Sequence, residues 1–174
     1  MRVLIAEYAH EWPVLFAREA ERVRGVLGER VLRLEHVGST SVPGLAAKPI
    51  IDMLLAVADA SDEAAYVPDM LEAGYILRIR EPEWFEHRLF KGPAADINLH
   101  VFSEDCQEIE RMLRFRDRLR ATPEDRDLYL RTKRELAERE WETTQHYADA
   151  KTDVVNVILE RASRASDWQR ANEA

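Results

Sequence analysis

Apolar and polar positions along the chain fall into two regimes, one of period two and one of period three to four. Leu15, Phe16, Ala20, Val23 and Leu27 recur at helical steps over residues 14–27, with Glu and Arg on the other face and Gly28 as a stop. Pro13 suits the first turn of that helix, where its missing N–H would be unpaired anyway. Two apolar runs follow, residues 31–37 and 50–57, and both read as strands. The second is so uniformly apolar that it predicts a central strand covered on both faces. In the first, Val31 and Val37 share parity with Arg33 and Glu35, so its inward face stays undecided. Residues 63–73 predict a helix, with Pro68 as an irregularity and Gly74 as its end. Residues 75–80, 84–90 and 96–102 alternate and predict a three-strand meander. Beyond Ser103 the pattern turns helical: residues 105–119, a second helix starting at Thr122-Pro123, and a third over about 144–162. Residues 163–174 lose the period and read as a tail prone to fray. At the other end, residues 2–8 read as a short strand or extended lead-in. The sum is an α+β fold: a mixed, largely antiparallel sheet of about four or five strands with helices packed on it, then a C-terminal three-helix segment.

Composition narrows this picture. With 174 residues and no repeat or linker, the chain reads as one domain over residues 1–165, with 166–174 as the tail. No apolar run approaches the roughly 20 residues of a spanning helix, so no membrane association is expected. The first residues lack a signal-peptide pattern, and Cys106 has no second cysteine to pair with, so a reducing cytoplasm is the expected setting. A net charge of −8 argues against binding extended nucleic acid. Arginines crowd between positions 111 and 139, leaving room for a local positive field. The apolar faces of the C-terminal helices could serve either a homodimer or packing on the sheet.

Candidate chemistry concentrates at residues 31–57. A small-residue turn, Gly38-Ser39-Thr40-Ser41, follows the first strand, and Asp52 interrupts the apolar second one. A carboxylate in a buried strand is costly unless it is paired, hydrogen-bonded or on a metal. A turn of this kind can offer N–H groups to an anion, although Ser39 and Ser41 can equally serve only to shape it. Lys48 can neutralise a phosphate or pair with Asp52. Alternation puts Asp96, Asn98 and His100 on one strand face. Arg88 lies on the neighbouring strand, while Arg116/Arg120, Tyr129/Lys133 and Tyr147/Lys151 are each spaced four apart, on one helix face. These cations can grip phosphate, or bridge to Asp117, Asp127 and Asp153.

The stretch GSTSVPGLAAKPIID, residues 38–52, resembles the signature of the GrpB family of small bacterial proteins. So do NLHVF (98–102), LRFRDRLRATPE (113–124), Tyr129 to Lys133 with Leu136, and Tyr147 to Lys151, and the resemblance spans roughly residues 7–165. It implies a nucleotidyltransferase-like fold of the DNA polymerase beta superfamily, but carries no reaction with it. Fusion of such domains to dephospho-CoA kinase in some bacteria hints at nucleotide or coenzyme A metabolism. On that implication Asp52 and Ser39 would be catalytic. Asp52, Asp96 and His100 would hold a divalent ion, Mg²⁺ or Mn²⁺. Gly38, Ser39, Thr40, Ser41, Lys48, Arg88 and Arg116 would hold a phosphorylated small molecule, a nucleotide by preference. Transfer by two metals about 3.5–4 Å apart needs several bridging carboxylates, and Leu54 stands where the family of folds places the second. The alternative is a catalytically degenerate regulatory or interaction module.

Overall fold

The computed structural model describes residues 2–94 and 96–173. Helix α1 (Trp12–Leu27) leads through a 3₁₀ turn at Gly28–Arg30 into strand β1 (Arg33–Val37). A long connection, opened by a second 3₁₀ turn at Ser39–Ser41, reaches strand β2 (Ile51–Val57). Next come a 3₁₀ turn at Glu63–Ala65, helix α2 (Val67–Glu72), and strands β3 (Ile76–Glu81), β4 (His87–Lys91) and β5 (Ile97–Ser103). Helices α3 (Gln107–Ala121), α4 (Pro123–Ala137), α5 (Thr144–Asp149) and α6 (Thr152–Glu173) complete the chain.

The five strands form one sheet in the order β1-β2-β5-β4-β3. The β2–β5 pairing is parallel and the other three are antiparallel, so the expected mixed, largely antiparallel sheet and its β3-β4-β5 meander are both found. One face carries α1 and α2 over Met53, Leu55, Leu99 and Val101. The other carries α3, whose Ile109 and Leu113 pack on Leu54, Ala56 and Phe102. This settles β1: Leu34 and His36 share a face with Leu55 and Met53, whereas Arg33 and Glu35 lie on the α3 side. There Arg33 pairs with Glu110 at 2.9 Å and Glu35 with Arg116 at 2.7 Å, so the charges that obscured the strand's parity are used in holding α3.

Three local expectations change. Residues 2–8 contribute only an isolated bridge, Ala6 to Ala47, rather than a strand. The helix expected over residues 63–73 is divided into a 3₁₀ turn and the short α2, because Pro68 fits only near a helix start, where no N–H is required. The third C-terminal helix is likewise two, α5 and α6, making four in all, and α6 continues to Glu173 through the residues read as a tail. Ion pairs three or four residues apart, Arg164–Glu160 and Arg170–Asp167, support its last turns. Val42 and Leu45 of the long connection are buried against Leu119, Tyr129 and Ile158, so α3, α4 and α6 clamp the loop between Gly38 and Asp52. No described helix is long and apolar enough to cross a membrane.

Candidate functional site

The parallel register sets Asp52 beside Asn98 and Leu54 beside His100. Asn98 Nδ2 donates to Asp52 Oδ1 at 3.0 Å, and His100 Nε2 donates to the same oxygen at 3.4 Å. Burial pushes the Asp52 carboxyl up, but the hydrogen bond and charge of His100 and the bond from Asn98 outweigh it and hold the group below the ordinary carboxylate range. Asp52 is therefore ionised at neutral pH. Its other oxygen lies against Gly38, where an added Cβ would stand 2.6 Å from Oδ2. Gly38 has φ 71° and ψ −176°, a conformation that side chains rarely adopt, so glycine is needed here both for the turn and for the carboxylate's approach.

A hydrogen-bonded chain runs from Asp52 to the protein surface. His87 Nε2 and His100 Nδ1 are 3.0 Å apart, and His87 Nδ1 lies 2.6 Å from Oε2 of the half-exposed Glu81. Burial lowers the pKa of His87, against the opposing pull of Glu81.

Asp52 and Asn98 form part of the wall of a cavity of about 210 Å³, with Ser39, Thr40, Lys48, Lys133, Tyr147 and Lys151 around the rest. Lys133 on α4 is 2% exposed. Its Nζ donates to Ala46 O at 2.6 Å and sits 4.9 Å from the Tyr129 ring centroid. Burial, with Lys151 and Arg134 nearby, brings its pKa down to about 7. Lys151, between α5 and α6, lies 4.7 Å from the centroid of the Tyr147 ring. Burial lowers its pKa too, against the opposing pull of Asp52. The Tyr129 phenol is hydrogen-bonded to Ser39, and burial pushes its pKa up to about 12. Three ammonium-bearing side chains thus surround one carboxylate in a protein of net charge −8.

The expected site residues divide accordingly. Gly38, Ser39, Thr40, Lys48 and Asp52 are together. Thr40 spends its hydroxyl proton on Ile50 O at 2.9 Å and leaves its oxygen to accept from His36, which stacks on Phe16 as a structural histidine. Ser41 is also structural: its Oγ donates to Gly38 O, and Arg120 Nε donates to its carbonyl at 2.9 Å. The Ser41 amide bonds back to Gly38 O and the following Val42 amide to Ser39 O, so the Ser41 N–H of the expected cradle is spent. Arg88 shares a register with Val101 on the opposite sheet face, beside Glu63 and Glu86. Arg116 is engaged by Glu35 and Asp117 outside the cavity wall. Lys48 forms no ion pair with Asp52 among the described residues.

The residues expected to hold a metal do not gather into one donor set among the described residues. Asp96 is paired with Lys91 at 3.1 Å, and Asp52 and His100 are bonded to each other. Among the described residues no three His, Cys, Asp or Glu side chains come together as ligands. Leu54, where a second acid would be needed, is fully buried on the α3 face.

Lys133, Lys151 and Tyr147 are central to the site, and they were visible only as two Tyr-x-x-x-Lys pairs among many charged helical positions. Both pairs prove to be cation–π contacts at the cavity instead of salt bridges.

The sequence profile described as "GrpB protein" matches residues 2–161. The chain belongs to the GrpB family. It is 63% identical over 161 residues to a UPF0157 protein of Halalkalibacterium halodurans, covering 92% of this chain and 83% of that protein. The crystal structure of the conserved protein GrpB from Enterococcus faecalis superimposes with a TM-score of 0.82 at 32% identity, covering 94% of this chain and 99% of the other. A dephospho-CoA kinase of Mycolicibacterium paratuberculosis is 29% identical over 189 residues, covering 91% of this chain and 44% of the longer protein. The GrpB fold is thus shared over nearly the whole length, and the cavity lies inside the matched region.

Proposed function

We propose that this GrpB protein binds a phosphorylated small molecule, a nucleotide by preference, in the cavity between the sheet and helices α4 and α5. The observation that supports this most is the convergence of Lys48, Lys133 and Lys151 on a cavity whose lining has Asp52 as its single acid among the described residues. Burying that much like charge is unfavourable without a counter-anion, and the lowered pKa values of Lys133 and Lys151 express the cost. A phosphate dianion relieves it. A binding or regulatory role fits the donor set better than two-metal nucleotidyl transfer, because Leu54 and the Lys91-bound Asp96 leave Asp52 without partner carboxylates.

The test is a thermal-shift panel of nucleoside mono-, di- and triphosphates, dephospho-CoA and inorganic phosphate, with and without Mg²⁺ or Mn²⁺. Dephospho-CoA is included because one relative carries a kinase of that name. A ligand at 100 times its Kd should stabilise by about 2.7 kcal/mol, and the shift should persist without metal. No shift with any phosphorylated compound would refute the reading.

A further inference from the structure

The ligand of this cavity can be specified further, on the basis of the binding reading above. The helical side supplies cations: Lys133 from α4 and Lys151 after α5, with Lys48 joining from the loop. Tyr147, 2% exposed, lines the same side, and its hydroxyl has no hydrogen-bond partner among the described residues. The sheet side differs in kind. Asn98 must turn its Nδ2 towards Asp52, because an amide oxygen would be repelled by an ionised carboxylate. That fixes Asn98 Oδ1 as an acceptor, and it too is buried without a partner. Both lone polar groups belong to residues that line one cavity, and leaving either unsatisfied is unfavourable.

The sheet side therefore presents acceptors, Asn98 Oδ1 and the Asp52 carboxylate, while the helical side presents donors. A bare phosphate satisfies only the helical side. A ligand that satisfies both carries hydrogen-bond donors close to its phosphate. Three lysines against one acid disfavour a cationic amine as that donor, which leaves neutral hydroxyl groups. We propose that the juxtaposition of Asn98 Oδ1 and Asp52 with Lys48, Lys133, Lys151 and Tyr147 selects a phosphate monoester of a hydroxylated carbon skeleton, of the sugar phosphate or ribose phosphate type. Recognition rests on the phosphate and its nearby hydroxyls.

Isothermal titration with four probes tests this: ribose 5-phosphate, glycerol 3-phosphate, propyl phosphate and phosphoethanolamine. The two hydroxylated esters should bind at least tenfold more tightly than propyl phosphate, the ratio that about 1.4 kcal/mol of hydrogen bonding gives. Asn98→Leu should reduce that ratio to below threefold, with its circular dichroism and melting temperature recorded as a check on folding. The wild-type comparison stands without the variant. Equal affinity for propyl and glycerol phosphates, or tighter binding of phosphoethanolamine, would overturn the inference and leave the phosphate-binding reading intact. No binding of any probe or of the nucleotide panel would overturn both.

Discussion

Gly38→Ala should be among the most damaging single-methyl additions in the protein, and its cost should divide into two separable parts. The first is backbone strain. At φ 71° and ψ −176° a non-glycine residue costs about 1–3 kcal/mol, offset by about 0.4–1 kcal/mol from the stiffer unfolded chain. The second is the collision with Asp52, whose Oδ2, Cβ and Cγ would lie 2.6, 3.0 and 3.2 Å from the new methyl. Overpacking of this kind costs about 1–3 kcal/mol. The total of about 1–6 kcal/mol is a large share of the roughly 5–15 kcal/mol that holds a domain together. A double-mutant cycle separates the parts, because Asp52→Gly removes the three atoms nearest the methyl and leaves the backbone conformation required. Urea unfolding of the four proteins, followed by far-ultraviolet circular dichroism, should give a coupling of about 1–3 kcal/mol in the direction of relief. Additivity within about 0.5 kcal/mol would show that the carboxylate does not press on the turn, and would leave the backbone conformation as the reason for Gly38.

Two further predictions concern the surroundings of the site. Burial first, then Arg120 and Arg116, hold His36 at a pKa of about 4 against an ordinary 6.5, so the unfolded chain takes up a proton that the folded one refuses. Stability should fall as pH drops from 6.5 towards 4, by up to about 3 kcal/mol from this group, and unfolding midpoints of His36→Gln should lack that increment; identical pH profiles would contradict the assignment. Asp125 is buried between Arg118 Nε at 2.7 Å and Arg161 Nη1 at 2.5 Å, tying α4 to α3 and α6. Its carboxyl is held low by both arginines against the cost of burial, so this contribution is present above the unfolded pKa of 3.8 and is lost below it as pH falls through the folded value. Asp125→Asn should cost about 2–3 kcal/mol at pH 7 in denaturant melts, and a loss below about 0.5 kcal/mol would show that the helices need no such tie.

Much of this architecture was legible in the chain, because hydrophobic period follows directly from which side a residue buries. The uniform run at β2 read correctly as the covered centre of a sheet, and the alternation of β5 put Asn98 and His100 on one face, which the parallel register sets beside Asp52 and Leu54. Where the reading slipped, a local pattern carried two meanings. Residues 152–173 show a weak apolar stripe because α6 is largely exposed beyond Ala162, and exposure erases periodicity without breaking a helix. Arg88 and Arg116 carry the charge a phosphate site needs, but spacing along one element does not say which face of the sheet it meets. Lys133 and Lys151 are the converse case. They join the site only because α4 and the α5–α6 junction fold back over the Gly38–Asp52 loop, a long-range contact to which short-range periodicity is blind.

The account stands on the three lysines acting together on an anion. Titration of inorganic pyrophosphate into the wild-type protein and into Lys48→Met, Lys133→Met and Lys151→Met, by calorimetry at low and moderate salt, tests it most directly. Charge-assisted hydrogen bonds of about 1.5–3 kcal/mol each predict roughly a tenfold or greater loss of affinity in every variant. Lys133→Met should also make the unliganded protein more stable at pH 7, since folding depresses the Lys133 pKa and so destabilises as pH falls from 10.5 to about 7. Wild-type protein that takes up no pyrophosphate, or variants that bind it as well as wild type does, would contradict the account.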